Sequence, residues 1–220
     1  MTEIMLTNNM LQQTARQLLS RLRTSGRHVV TGSSLSSPRA VGDAVQDFLG
    51  NNLPECFPEG VIGRFESGFE RRSMEDLAFY DRQGNYYAVD VKTHNRDTNF
   101  NMPNLISIQR LARFYENDTN HFLILMVEYR TTENGVDYTD CHFVPIENFS
   151  WKCLTIGALG WGQIQIADSN RLLIDYAQSR RDWMLQLCDT VQAFYEAEIG
   201  KINTRSTWFG EVRRRWESHP

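Results

Sequence analysis

The sequence predicts one α+β domain, and three observations carry that prediction. A turn-forming cluster, Asp81-Arg82-Gln83-Gly84-Asn85, sits between two runs of alternating apolar and polar residues, the pattern of a β-hairpin. Residues 121–130 form a nearly unbroken apolar run, F-L-I-L-M-V-E-Y at its centre, which is how a strand buried on both faces reads. Stretches 9–25, 38–53 and 181–202 space their apolar residues as amphipathic helices do.

The first helix is predicted over 9–25, with Leu11, Ala15, Leu18, Leu19 and Leu22 on one side and Gly26 closing it. A polar linker, T-G-S-S-L-S-S, covers 31–37. Ser37-Pro38 then supplies an N-cap and a proline at the first helical position, opening a helix through about Leu53 that Pro54 stops. Its buried stripe is Ala40, Val41, Ala44, Val45, Phe48 and Leu49. Residues 55–68 read as loop with one short strand. After the hairpin, 94–102 reads as a polar loop, and Pro103 as the start of a helix carrying Leu105, Ile108, Leu111, Ala112 and Tyr115 on one side. A second hairpin turns at Asn134-Gly135 into a strand over 138–146. Residues 156–166 begin glycine-rich and end in an alternating strand. Gly157, Gly160 and Gly162 precede a strand and make no G-x-G-x-x-G, which excludes dinucleotide binding. The helix over 181–202 sets Trp183, Leu187, Val191, Phe194 and Ile199 roughly on one side. The tail beyond it carries Trp208, Phe209 and Trp216 among basic residues, for core packing or for a dimer surface.

The 220 residues suffice for one good-sized domain, and 41% hydrophobic with 23% charged residues is ordinary globular composition. Residues 1–10 lack the basic start and apolar run of a secretory signal, and no apolar stretch is long enough to span a bilayer. The expectation is a cytoplasmic protein with no membrane partner. Cys56, Cys141, Cys153 and Cys188 form no C-x-x-C pair and read as free thiols. The net charge of −4 does not advertise nucleic-acid binding, but arginines cluster. Arg16, Arg21, Arg23 and Arg27 read as a solvated helix face. Arg64, Arg71 and Arg72 lie just before the hairpin, where a phosphate backbone would pass. Lys201, Arg205, Arg213, Arg214 and Arg215 make the third group.

Chemistry concentrates in residues 74–93. If Tyr80 pairs with Tyr86 across the turn, Asp76 falls opposite Asp90. Asp76, Ala78, Ala88, Asp90 and Lys92 then share one face, and Leu77, Phe79, Val89 and Val91 share the other, which is the core face. Facing carboxylates repel and weaken a hairpin. With an ammonium two residues on, the arrangement suits a divalent cation, since oxygen ligands with room for water and phosphate are what Mg²⁺ prefers. An ordinary surface hairpin with Lys92 neutralising its acids fits these residues as well. Asp43, on the second helix, is either a further acid near the metal or an exposed helix acid.

The order helix, first Asp, turn, D-x-K, helix resembles the PD-(D/E)xK nucleases, and within them the EcoRV/HincII-like type II restriction endonucleases, nearest their HincII branch. The matching stretches are 74–93 (D…Y-x-x-x-D-V-K-T), 99–111 (N-F-N-M-P-N-L-I-S-I-Q-R-L) and 163–166 (Q-I-Q-I). The spacing from the D-V-K lysine to the P-N pair is that of the HincII branch, and the resemblance runs with gaps from about Gly42 to the C-terminal helices.

The resemblance implies a restriction-endonuclease-like fold with a central mixed sheet flanked by helices, in one domain over 1–220. That domain divides into an N-terminal helix and linker over 1–36, with dimerisation as its expected role, a nuclease core over 37–170 and C-terminal helices over 171–220. It implies a bacterial homodimer that grips double-stranded DNA, cuts both strands of a short specific sequence, and has a cognate DNA methyltransferase as genetic partner. Mg²⁺, for which Mn²⁺ substitutes, would be held by Asp76, Asp90 and the backbone carbonyl of Val91. Lys92 would orient and help deprotonate the attacking water and counter the developing charge. Thr93, His94, Asn101 and Asn104 would contact DNA, an asparagine amide being both donor and acceptor and able to pair with adenine. A turn role for Asn101 and a helix cap for Asn104 are the structural alternatives. The chain departs from the family in a hairpin one residue longer, in Glu75 where the broad motif has proline, and in Gly157 where the HincII branch has a base-contacting asparagine. The last departure leaves the recognised sequence open. Two other readings remain: a repair or junction-resolving nuclease of the same fold, and a DNA-binding protein with an inert core.

Overall fold

The structure, a computed structural model, describes residues 6–25, 37–70, 73–99, 101–133 and 135–219. Gly26, Arg27, the linker over 31–36, Arg71, Arg72 and Asn134 lie outside them.

A five-stranded sheet forms the centre. Its strands are β1 (Ile62–Ser67), β2 (Leu77–Asp81), β3 (Tyr86–Asn95), β5 (Asn120–Thr132) and β6 (Gly135–Pro145), in that spatial order. β3 and β5 run parallel and the other neighbours antiparallel, so the sheet is mixed. A second sheet, β4 (Asn104–Ser107), β8 (Gln163–Ile166) and β7 (Leu154–Gly157), is antiparallel throughout. The α+β class with a mixed sheet flanked by helices is therefore correct.

Both faces of the central sheet are covered, each by its own core. On one face lie α1 (Asn8–Ser25) and α2 (Pro38–Asn52), which pack Leu11, Leu18, Leu22, Val41, Val45 and Leu49 against Leu77, Phe79, Val89, Leu123 and Leu125. Arg23 fastens α1 to β6 by donating to the carbonyls of Tyr138 and Thr139, both at 2.8 Å, so this arginine is structural. The predicted cap of α2 is present: Ser37 Oγ accepts from the Ala40 N–H at 3.3 Å, with Pro38 at the first position. On the other face Ala88, Phe122, Ile124, Met126 and Val144 meet the second sheet, α3 (Ile108–Phe114) and the start of α4 (Arg180–Glu217). The run through 122–129 is buried throughout, as its composition requires.

Three expectations need correction. β3 continues through His94 and Asn95, so the polar loop begins two residues later than its composition suggests. Pro103 starts no helix: residues 104–107 form β4, and α3 begins only after Ser107, whose Oγ accepts from the Arg110 N–H. The alternating strand expected at the end of 156–166 is present as β8, paired with β7 across the glycine-rich turn. The C-terminal helix and the tail after it are one 38-residue helix, about 57 Å long at 1.5 Å per residue. Its first turns are anchored by fully buried Trp183, whose Nε1–H donates to the Phe149 carbonyl at 2.9 Å, and by Leu187. Ile199, Ile202, Trp208, Phe209 and Trp216 farther along are exposed.

Candidate active site

The hairpin register is the expected one. Tyr80 pairs with Tyr86, Ala78 with Ala88, and Leu77 with Val89, which carries Asp76 to the position beside Asp90. The turn is tied by Asp81. Its carboxylate accepts from the N–H groups of Gln83 and Asn85 at 2.9 Å, from the Asn85 amide at 2.8 Å and from the Tyr87 hydroxyl at 3.2 Å. Glu75, at the position where the motif has proline, accepts from the Tyr86 hydroxyl at 2.9 Å and so pins the start of β2 to β3.

Asp76 lies just before β2, half-buried. Its N–H donates to the Val89 carbonyl at 2.9 Å, and its Oδ2 accepts from the Val91 N–H at 2.7 Å, extending the ladder through a side chain. Asp90 is buried. Lys92 Nζ donates to its Oδ1 at 2.6 Å, while its Oδ2 is buried with no hydrogen-bond partner among the described residues. Burial pushes the Asp90 carboxyl up from 3.8 to about 7; Lys92 opposes this by charge and hydrogen bond, and the Asp76 charge adds to it. A buried carboxylate oxygen left unpaired is costly. The Asp76 and Asp90 carboxylates, with one Asp90 oxygen unsatisfied, offer hard oxygen donors of the kind a divalent cation takes.

Alternation along β3 puts His94 on the face of Asp90 and Lys92, and Val91 and Thr93 on the opposite one. Val91 packs its side chain against the core shared with α2. Thr93 Oγ1 lies against Gly42 of α2, 3.4 Å from where a Cβ there would sit. Asp43, the next residue on α2, is exposed and 3.9 Å from Arg39.

His94 is fully buried. Nε2 is 2.9 Å from Asn170 Oδ1 and Nδ1 is 3.4 Å from Asn101 Nδ2, an arrangement that the Nε2–H tautomer satisfies at both ends. Asn170 also donates to the Thr98 carbonyl at 3.0 Å, and the Asn101 carbonyl accepts from the N–H and hydroxyl of Ser169. The ring is thus the peg on which the loop from β3 to β4 hangs, with no ring nitrogen left for a ligand. Asn104, exposed at the start of β4, accepts from Gln165 Nε2 at 2.6 Å across the second sheet. A Cβ at Gly157 would collide with the Gln165 amide, so the missing side chain at 157 lets Gln165 reach Asn104.

The contacts of Asn170 with His94 and of Gln165 with Asn104 have no local signature in the sequence, because the partners are 76 and 61 positions apart. A second group was missed too: Glu128, Asp140 and His142, whose possible ligand atoms lie within 4.8 Å of one another. Glu128 is buried, and its signal was available as the one charge inside the apolar run. Burial alone would raise its carboxyl, but His142 and Arg96 outweigh that and hold it below the usual range. The Glu128 hydrogen bond in turn raises His142. Arg96 stands 3.5 Å and His142 3.6 Å from the Glu128 carboxylate, so the group already neutralises itself and a cation there would compete with the guanidinium. Of the basic cluster before the hairpin, Arg64 is paired with Glu66 at 2.8 Å and covers the Tyr80 ring. All four cysteines are free, and among the described residues no helix is long and apolar enough to cross a membrane.

No protein-family model matches the chain, and no curated protein matches it. Among solved structures it is similar to the "NlaIV restriction endonuclease", with a TM-score of 0.43 and 14% identity over 76% of this chain and 71% of that one. That likeness does not single out the HincII branch that the motifs resemble.

Proposed function

We propose that the chain is a divalent-metal-dependent endonuclease of the restriction type, hydrolysing both strands of a short specific sequence in duplex DNA as a homodimer. The observation that supports this most is Asp90: a buried carboxylate, one oxygen on Lys92 and the other unpaired, beside Asp76. Asp76, Asp90 and the Val91 carbonyl would hold the ion, Mg²⁺ by the hardness of the donors, with Mn²⁺ as a substitute. A bound Mg²⁺ supplies charge stabilisation at the phosphoryl group and a more acidic water.

The chain's own residues do the rest. The Val91 N–H fixes the Asp76 carboxylate in orientation. Lys92, within hydrogen-bond reach of Asp90, would orient the attacking water and counter negative charge as it grows on the phosphate. Asn104, exposed on the edge strand β4, and Gln165, half-buried on the central strand β8, would present an amide pair suited to base edges or groove, and Asn101 shapes the loop beside them. Thr93 would contact the DNA backbone where β3 passes α2. His94 acts by holding the loop, and Asp43 would act on the ion only after leaving Arg39. A DNA methyltransferase encoded alongside is the genetic partner this reading expects, in a bacterial cytoplasm.

The test is incubation with unmethylated phage DNA, with Mg²⁺ and with EDTA. Discrete fragments that vanish in EDTA support the reading. Nicking or structure-selective cutting would point to a repair nuclease, and no cleavage with Mg²⁺ or Mn²⁺ would leave only an inert DNA-binding core. Lys92→Ala should lower cleavage by at least about 10²-fold, the scale of losing one transition-state donor, with DNA affinity nearly unchanged by gel shift. Cleavage retained by that variant would remove Lys92 from the catalytic role.

A further inference from the structure

We infer that the outer half of α4 is the surface on which two copies of this chain associate, as an antiparallel helix pair whose twofold axis passes between Arg205 and Ser206. The inference names the surface of the homodimer proposed above, but it stands on the helix alone and needs no nuclease chemistry.

Met184, Leu187, Val191, Tyr195, Ile202, Phe209 and Trp216 follow one another at steps of three, four and seven residues, a single apolar stripe along the helix. Met184, Leu187 and Val191 pack on the second core. Tyr195 reaches back to donate its hydroxyl to the Trp161 carbonyl at 2.7 Å, and past it the stripe is largely uncovered: Ile202 is 61% exposed, Phe209 60% and Trp216 66%. Phe209 and Trp216 alone leave on the order of 250 Å² uncovered, given ~150–250 Å² per aromatic side chain. With Ile199, Ile202 and the flanking polar side chains the strip approaches the roughly 800 Å² per partner of a standard interface.

Charge identifies the occupant. Asp182, Asp189, Glu196 and Glu198 make the first half of α4 acidic on balance, and Lys201, Arg205, Arg213, Arg214 and Arg215 make the second half basic. A second copy running antiparallel, centred between Arg205 and Ser206, brings Ile202 opposite Phe209, Ile199 opposite Val212 and Tyr195 opposite Trp216. The same register sets Glu198 opposite Arg213 and Glu196 opposite Arg215. A parallel pair would set all of these like charges together, whereas the antiparallel pair does so only for Arg205 at the axis. The ion pairs these residues make within their own helix, half-buried Glu198 with exposed Lys201 and exposed Arg213 with exposed Glu217, exchange at little cost. Beside Tyr195 an apolar groove of about 550 Å³ runs between the 158–161 turn and α4, edged by Trp161 and Ile199. Trp216 of the second copy arrives at this groove, which is large enough for an indole.

Sedimentation velocity from sub-micromolar to high-micromolar protein tests the association, with mass rather than cleavage as the readout. The expected result is a dimer that Phe209→Glu weakens by about 30-fold or more, the scale of a central aromatic anchor. Residue 209 touches no core, and circular dichroism confirms that the variant keeps its fold. Reversing Arg213 and Arg215 to Glu should weaken the dimer, and mixing that variant with Glu196→Arg/Glu198→Arg should restore it as a heterodimer. In a Cys188→Ser background, Ser206→Cys should oxidise to a disulfide-linked dimer. Ile199→Cys should not, its two copies lying about 20 Å apart along the pair. A wild-type monomer at every concentration, a dimer indifferent to Phe209→Glu, or cross-linking at 199 would each overturn the inference.

Discussion

At Asp90 the ionised carboxylate is held in a place that disfavours it. Its carboxyl stands at about 7 in the fold against 3.8 outside it, so the folded chain binds a proton that the unfolded chain has released. By linkage, stability without a divalent ion falls as pH rises from about 4 to about 7, by on the order of 4 kcal/mol at most. Thermal melts in EDTA should therefore drop between pH 5 and pH 8 for the wild type and much less for Asp90→Asn. Added Mg²⁺ should recover the loss at pH 8 in the wild type alone, since a ligand of the folded state stabilises it by mass action. A flat wild-type profile would show that Asp90 is not strained by burial. His94 poses a second residue-scale case. Asn170→Ala leaves a buried imidazole N–H without its acceptor, a loss of about 1–3 kcal/mol, read by urea unfolding. Hydrogen exchange over 98–104 should speed up in the same variant, because Asn170 also holds the Thr98 carbonyl.

Among the elements, α2 and the hairpin formed where local chemistry demanded. Ser37 caps α2 through one hydrogen bond to the Ala40 N–H, so Ser37→Ala should cost about 1 kcal/mol of unfolding free energy and leave the hairpin site untouched. A loss near zero would mean that solvent replaces the cap. The hairpin was legible because its turn residues, its period of two and its pairing all lie within twenty positions. β4 was not. Pro103 followed by Leu105, Ile108 and Leu111 satisfies a helix signature, but Asn104, Ile106 and Ser107 find their partners in β8, far along the chain. A four-residue strand has too little pattern of its own to outweigh that signature.

For the molecule as a whole, the central sheet separates two cores, and α4 belongs to the second through Trp183 and Leu187. Trp183→Ala removes a fully buried indole and its hydrogen bond to Phe149, and should destabilise the fold by about 3–5 kcal/mol in chemical denaturation. A markedly smaller loss would mean that α4 is not needed to close that core. The sequence by itself determined the class, the hairpin register and the meeting of Asp76, Asp90 and Lys92 on one face, since strand alternation and turn chemistry act over short separations. The tertiary structure alone decided that this face is buried and leaves Asp90 Oδ2 without a partner. It also turned His94 into the anchor of a loop, linked Asn104 to Gln165, and left half of α4 without a covering. Each of these depends on groups dozens of residues apart, and only the packed chain brings such groups within reach.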